Sequence, residues 1–271
     1  MKSKTFIVSL SLLTVILISA FKTDIPNILN VSQRFVKIEN NLYADKYETS
    51  INDYKLFLFD MKKNGKDYSN LTYDSTKWTS GIVNYQALQD YYFNDNAYIN
   101  YPVVSISYDA ALEFCNWLTK KYNSDSKKKY KKVVFRLPTE KEFIKAASSG
   151  SDTKKTLYPW GNTLMDSKHQ KRCNFGILHQ EDISYDGKTF KYNHPANSFD
   201  NSVEGINSYS PNKYGVYNIV GNVSEMIQAK NYAMGGDFLS TGYDVRITSK
   251  KEFKDKDIFV GFRVYMEILE Y

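Results

Sequence analysis

Apolar residues recur at intervals of three and four positions in the first half of the chain, which is typical of helices. Residues 34–65 read as strand, strand and helix, and Ser50 with Asp53 indicates where that helix begins. Asn64 and Gly65 supply a stop signal. The apolar positions predicted to face inward are Ile51, Tyr54, Leu58 and Met61.

A second helix is predicted to start at Ser107, directly after a short buried strand from Val103 to Ile106. A third is predicted after the strand "VVFRL", because Thr139 and Glu142 have the spacing of a capping box. The inner face of the second helix is expected to comprise Ala111, Phe114, Cys115, Leu118 and Tyr122.

The remaining sequence has little periodicity. Residues 66–101 and 148–214 are rich in aromatic or turn-forming residues, whereas "FVGFRVYMEI" at 259–268 alternates as a terminal strand would. So long an irregular stretch normally argues against one compact domain. The exception is a fold in which ligands bound by the loop backbone, together with aromatic packing, hold the loops in place. We find no repeats and no linker, so a single domain is predicted for residues 30–271.

The N-terminus has the layout of a secretory signal. Lys2 and Lys4 precede an apolar run from Phe6 to Ile18, which ends at Ser19 and Ala20. Residues 1–20 are therefore predicted to be a signal peptide or an N-terminal membrane anchor, and no cysteine follows for lipid attachment. We expect an exported protein of the periplasm or of the cell envelope, including association with the outer membrane.

Composition excludes some classes of function. With 42% apolar and 24% charged residues the chain is ordinary for a globular protein. The net charge of +6 and one basic run, residues 126–132, do not make a nucleic-acid-binding surface. The 23 tyrosines suit wet interfaces on irregular loops, so protein partners in the cell envelope are expected.

Six motifs in a fixed order resemble the formylglycine-generating enzyme family, also called the sulfatase-modifying factor family. They are "YPVVSISYDAALEFCNWL", "FRLPTEKEFIKAA", "YPWGN", "YGVYNIVGNVSEM", "MGGDF" and "VGFRV". The resemblance implies an α+β, variant C-type-lectin-like fold with small twisted antiparallel sheets, a few helices and much irregular loop. "LTYDSTKW" and "NAYINYPVV" further resemble the branch associated with gliding motility and type IX secretion in Bacteroidetes.

Active members of that family hold copper with two cysteines after the Gly-Gly motif, because thiolates bind a soft cuprous ion. Ser240 and Val245 stand at those positions here, and Cys115 and Cys173 belong to other motifs. No copper and no catalytic residue are therefore expected. A second enzymatic branch uses a histidine-rich iron site, but this chain has only three histidines, His169, His179 and His194.

Calcium is the cofactor that the resemblance does imply, in a structural role. The family pattern falls on the side chains of Asn218 and Glu225 and the main-chain oxygens of Gly221 and Val223. The alternative is that this stretch forms a tight turn and that Glu225 caps a helix. A second calcium site would use Asn174, Phe175 and an aspartate, for which Asp200 and Asp186 are both candidates.

Three functions stay open from the sequence. The leading hypothesis is a non-catalytic, exported scaffold or binding protein of the cell envelope, a pseudoenzyme connected with gliding or type IX secretion. The alternatives are an enzyme of the same fold with a rewired active site, and a lectin-like module that binds carbohydrate. Trp160 and Arg263 are interpreted as structural, Arg263 as the partner of buried carbonyls or a carboxylate.

Overall fold

The computed structural model describes residues 27–80, 85–177 and 202–271, and the backbone of two short strands between the last two ranges. The helices are α1 (Val31–Arg34), α2 (Ile51–Lys63), α3 (Gln86–Tyr91), α4 (Tyr108–Ser124) and α5 (Glu140–Ser148). The first five strands are β1 (Phe35–Glu39), β2 (Leu42–Asp45), β3 (Lys132–Arg136), β4 (Ser184–Asp186) and β5 (Lys191–Asn193). The others are β6 (Ser224–Met226), β7 (Tyr232–Met234), β8 (Lys250–Glu252), β9 (Val260–Gly261) and β10 (Tyr265–Glu270).

The order strand, strand, helix is confirmed by β1, β2 and α2. Ser50 and Asp53 form a capping box at the start of α2, and Gly65 takes a left-handed conformation just after its end. One inward position was assigned wrongly, because Phe57 is fully buried and Leu58 only partly so. At 3.6 residues per turn, Phe57 and Leu58 lie equally far from the line through Tyr54 and Met61, on opposite sides of it, so periodicity alone does not distinguish them.

The caps of α4 and α5 are confirmed as well. Ser107 accepts a hydrogen bond from the backbone of Ala110, and Thr139 and Glu142 form the predicted capping box. The strand predicted from Val103 to Ile106 is wrong, although the segment is buried. Ser105 has a φ of 56°, which interrupts an extended ladder.

The larger core lies between the first sheet and the helices. This antiparallel sheet has the order β1-β2-β10-β3, so the predicted terminal strand is confirmed, and the structure places it in the interior of the sheet. The predicted strand is nevertheless split into β9 and β10, with Arg263 in the gap between them. α2 and α4 meet through their aromatic side chains, with 5.5 Å between the ring centroids of Phe57 and Phe114.

A second four-stranded sheet has the order β8-β7-β6-β9 and supports the irregular half of the domain. Its β6 and β9 are parallel, which corrects the expectation of purely antiparallel sheets. β4 and β5 form a separate hairpin. Within the described ranges, no helix is both long and apolar enough to span a bilayer, and the predicted signal at residues 1–20 lies outside them.

Candidate functional site

The segment "YGVYNIVGNVSEM" (214–226) leads into β6 through four left-handed residues, Gly215, Asn218, Gly221 and Asn222. Gly221 donates its N–H to the carbonyl of Gly235 at 2.8 Å, and Asn222 donates to the carbonyl of Asn174 at 2.8 Å. A Cβ on Gly221 would lie 2.3 Å from that Asn174 oxygen. Only glycine therefore allows this segment to approach "CNFG" so closely.

Glu48 lies fully buried against this segment, although no sequence motif had pointed to it. Its Oε2 accepts a hydrogen bond from Asn218 Nδ2 at 3.0 Å, and its Oε1 accepts one from Asn222 Nδ2 at 3.0 Å. Burial raises the pKa of Glu48 to about 8, an effect that the Arg263 charge opposes and the Glu225 charge reinforces. The two amides thus hold a carboxyl group that is costly to ionise.

Asn222 connects the residues predicted for the two calcium sites. Its Oδ1 accepts hydrogen bonds from Asn174 Nδ2 at 3.1 Å and from the backbone N–H of Glu204 at 2.9 Å. Asn218 Oδ1 is also buried, and it has no hydrogen-bond partner within the described residues. A buried oxygen without a partner is unusual and could serve a cation.

The sequence suggested that Glu225 is a calcium ligand, but in the structure its carboxylate contacts Arg263. Both of its carboxylate oxygens lie 3.1 Å from Arg263 Nε, and Oε1 lies 2.5 Å from Nη2. Arg263 also donates to the carbonyls of Asp45 at 3.2 Å and Tyr217 at 2.8 Å. The structural interpretation of Arg263 is thereby confirmed, and Glu225 lies in β6 rather than at a helix start.

A second buried arginine extends the charged network. Arg34 Nε contacts Asp45 Oδ1 at 2.8 Å, and Arg34 Nη2 contacts Asp53 Oδ2 at 2.7 Å. Asp53 is also the partner of Ser50 in the capping box of α2. Asp45 thus connects the two networks, since its side chain binds Arg34 and its carbonyl binds Arg263. Arg34 carries no local sequence signal of this role, because its partners come from different elements.

The donors at the first predicted calcium site fit the ion in part. Asn218 contributes a free amide oxygen, and carboxyl oxygens of the kind that calcium prefers lie nearby on Glu48. Glu225, however, is already neutralised by Arg263, and Val223 is buried in the main core. Within the described residues, no cluster of three or more histidine, cysteine, aspartate or glutamate side chains could hold a metal. Calcium here stays a prediction.

The second predicted calcium site is only partly described. Asn174 is buried, and its Nδ2 donates to the carbonyl of Ser202 at 2.8 Å. The carbonyl oxygen of Phe175 accepts a hydrogen bond from Lys171 Nζ at 3.0 Å, where a calcium ion was expected. Asp200 and the side chain of Asp186 lie outside the described residues. This site also stays a prediction.

A pocket of ≈ 260 Å³ opens beside the Gly-Gly motif, and Ser240 and Gly236 contribute to its lining. Ser240 Oγ accepts the N–H of Asp237 at 3.0 Å, and Asp237 Oδ2 forms an ion pair with Lys251 at 2.6 Å. Val245 is fully buried in a cluster with Tyr158, Cys173, Phe175 and Val220. The two positions expected to carry cysteines therefore hold a hydrogen-bonded hydroxyl and a buried alkyl group.

Cys173 is far from Val245 in sequence but belongs to the same buried cluster, which sequence distance alone did not suggest. Both cysteines are free and buried. Burial raises the pKa of each thiol to about 12. Cys115 lies on the buried face of α4, as predicted. Neither thiol is available as a thiolate at neutral pH.

Two further residues singled out from the sequence lie near the surface. Trp160 is half-buried and packs against the cluster that contains Val245, and its Nε1 donates to the carbonyl of Thr163 at 2.7 Å. His169 is exposed on a turn. His179 and His194 lie outside the described residues.

Comparison with known proteins identifies a family. The sequence profile of the sulfatase-modifying factor enzyme 1-like domain matches residues 20–268. A formylglycine-generating enzyme of Thermomonospora curvata is 34% identical over 128 residues, which are 46% of this chain and 32% of that protein. An inactive C-alpha-formylglycine-generating enzyme 2 of Bos taurus is 31% identical over 140 residues, which are 51% of this chain and 36% of that protein. The matches thus span about a third of each relative.

Solved structures agree on the fold. PvdO from Pseudomonas aeruginosa superimposes with a TM-score of 0.51 at 16% identity, covering 83% of this chain and 80% of that chain. CarF gives a TM-score of 0.50 at 16% identity, covering 84% of this chain and 86% of that chain. The predicted fold class is therefore confirmed, with helices around small sheets.

Proposed function

This chain belongs to the sulfatase-modifying factor enzyme 1-like family, and on that premise we propose that it is a non-catalytic member. It acts as an exported scaffold or binding protein of the cell envelope. The side chains at the expected copper site carry the first part of this proposal, and the N-terminal sequence and the loop composition support the second.

The observation with the most weight is the pair of side chains at 240 and 245. A cuprous ion needs soft ligands, and neither a serine hydroxyl nor a valine methyl group replaces a thiolate. Val245 is fully buried among apolar neighbours, so no water or ion reaches that position. Cys173 in the same cluster is a single protonated thiol, which cannot replace a pair.

The relatives give independent support. Two of them, from Bos taurus and Mus musculus, are themselves described as inactive formylglycine-generating enzymes. Relatives at about 30% identity are therefore themselves described as inactive, as we propose for this chain.

Export and an envelope location rest on residues 1–20, with their lysines, apolar run and small residues at the end. The motifs "LTYDSTKW" and "NAYINYPVV" support the narrower proposal of a gliding motility or type IX secretion component. Long irregular loops rich in tyrosine suit an interaction surface.

An enzyme assay tests whether the chain lacks formylglycine-generating activity. The purified chain is supplied with copper, oxygen and a sulfatase-type cysteine peptide, and the peptide mass is followed beside an active formylglycine-generating enzyme. We expect conversion by the active enzyme alone. Copper-dependent conversion by this chain would overturn the proposal.

Co-purification tests the scaffold role. The tagged chain is isolated from envelope membranes of its own source after mild solubilisation, and the composition of the complex is determined by mass spectrometry. We expect at least one stoichiometric envelope protein. A chain that elutes alone at every mild condition would contradict the scaffold role, whatever the enzyme assay shows.

A further inference from the structure

Helices α2 and α4 lie side by side and run in the same direction. Tyr54 and Phe57 of α2 both contact Phe114 of α4, with centroid distances of 5.7 and 5.5 Å. One turn further along, Asp60 accepts a hydrogen bond from Trp117 Nε1 at 2.8 Å. The contacts advance together along both helices, so the C-terminal ends of the two helices meet on one side of the domain.

Between these two ends, a groove of ≈ 270 Å³ is open at the surface. Met61 and the half-buried indole of Trp117 form its apolar part. Its charged part comprises Asp60, Lys66, Glu113, Lys120 and Lys121. The groove is therefore apolar between the helices and charged along its edges.

An exposed apolar side chain, Leu56, continues this surface along α2. Leu56 is 44% exposed and Phe59 is 65% exposed. Leu56 precedes Asp60 by four residues and therefore lies beside the groove on the same face of α2. Phe59 lies about 100° from Asp60 around the helix and about 160° from Met61, so it faces solvent away from the groove.

The charge of the groove is positive. Asp60 is neutralised by Lys121 at 2.9 Å, which leaves Glu113 as the remaining acid in its lining. Lys66 and Lys120, which also line the groove, form no ion pair with any other described residue. A partner that supplies carboxylates would thus meet two lysines that are not already paired with an acid.

We propose that the groove between α2 and α4 binds an acidic segment of a partner protein. An aliphatic or aromatic side chain of that segment packs against Met61 and Trp117, beside Leu56. Carboxylates on the same segment pair with Lys66 and Lys120. The concave groove favours a peptide over an anionic bilayer, because lipid headgroups would need a flat or convex surface. This assignment goes beyond the proposed scaffold role and does not depend on the absence of catalysis.

Selection from a random peptide library tests the chemistry of the partner without assuming its identity. Twelve-residue peptides on phage are selected against the immobilised 271-residue chain. We expect enrichment of peptides that combine several Asp or Glu residues with one large apolar residue. One enriched peptide, synthesised with a fluorescent label, then reports affinity by anisotropy.

Matched variants locate the site. We expect Leu56→Ser and Lys120→Glu each to weaken binding of the labelled peptide by about tenfold, and added salt to weaken it further. Controls are Phe59→Ser, which removes an exposed apolar side chain on the other side of α2, and Lys37→Glu, which reverses another exposed lysine. Both should keep the affinity of the parent chain. Thermal melting confirms that all four variants fold.

Three results would overturn the assignment. The first is that selection against the parent chain enriches no acidic peptides. The second is that the enriched peptides bind Leu56→Ser and Lys120→Glu as tightly as the controls. The third is that vesicles containing phosphatidylglycerol bind in a Leu56- and Lys120-dependent way while the peptide does not, which would assign the groove to a membrane surface instead.

Discussion

Arg263 and Glu225 form an ion pair that is closed off from water, with 2.5 Å between Arg263 Nη2 and Glu225 Oε1 and exposures of 0% and 1%. The guanidinium also binds two backbone carbonyls, so its donors are directed at protein groups from β2, β6 and the 214–226 segment. The pair therefore joins the first sheet to the second. In this chain, the acid that the family pattern assigns to calcium is the partner of an arginine.

Removing one member of this pair should be costly, because it leaves the other charge buried without a partner. We expect Arg263→Met to lower the free energy of unfolding by about 3–5 kcal/mol, measured by urea denaturation. Lys145→Met, which breaks the exposed pair with Glu39, should cost less than about 1 kcal/mol. Equal losses from the two substitutions would mean that the buried pair does not hold the sheets together. Arg263→Met with Glu225→Leu should recover part of the loss.

Calcium can be tested by melting the protein with and without the ion. If the first predicted site exists, calcium at about 100 times its dissociation constant should add about 2.7 kcal/mol to stability. Glu225→Gln should lower the melting temperature and abolish the response to calcium, and Asn218→Ala should abolish that response too. A melting curve of the parent chain that calcium does not change would contradict the site.

The same experiment distinguishes two ligand sets. Glu48 contacts Asn218 in the structure, whereas Glu225 contacts Arg263. If Glu48→Gln loses the response to calcium and Glu225→Gln keeps it, the carboxylate ligand is Glu48 and the residue carried over from the family is wrong.

The sequence predicted those features whose cause is local. Ser50 and Thr139 mark helix starts correctly because a cap is formed with a residue three positions later. The inner face of α4 and the terminal strand follow equally from periodicity. The strand at 103–106 was predicted from apolar content alone, and the left-handed Ser105 could not be seen in it.

The site was harder to predict because its contacts are long-range. Glu48 is 170 positions from Asn218 and 174 from Asn222, and nothing around it in sequence distinguishes it from a surface acid. Arg34 likewise finds Asp45 and Asp53 on two other elements. α3, only six residues long, is too short for a reliable period.

Gly65 and Gly221 both have a left-handed backbone conformation, and comparing them separates the cost of backbone strain from the cost of a steric clash. Gly65 and Gly221 have φ values of 65° and 75°, but a Cβ on Gly65 would meet nothing within 4 Å. We expect Gly65→Ala to cost about 1–2 kcal/mol, the price of a left-handed alanine. Gly221→Ala should cost several kcal/mol more, because its Cβ would be forced onto the Asn174 carbonyl. Similar losses in urea denaturation would show that the two segments are not in close contact.

The two cysteines should be inert in the folded protein and reactive after unfolding. Burial holds the pKa of each thiol at about 12 instead of 9.0, so the thiolate stays scarce as the pH rises from about 8 to about 10. The unfolded chain ionises near 9.0, so the thiols contribute stability below that pH and lose it progressively toward about 12. We expect iodoacetamide to label neither residue at about pH 8, and both after addition of guanidinium. Cys115→Ala and Cys173→Ala assign each label by mass spectrometry, and rapid native labelling of Cys173 would show that its cluster with Val245 is open to solvent.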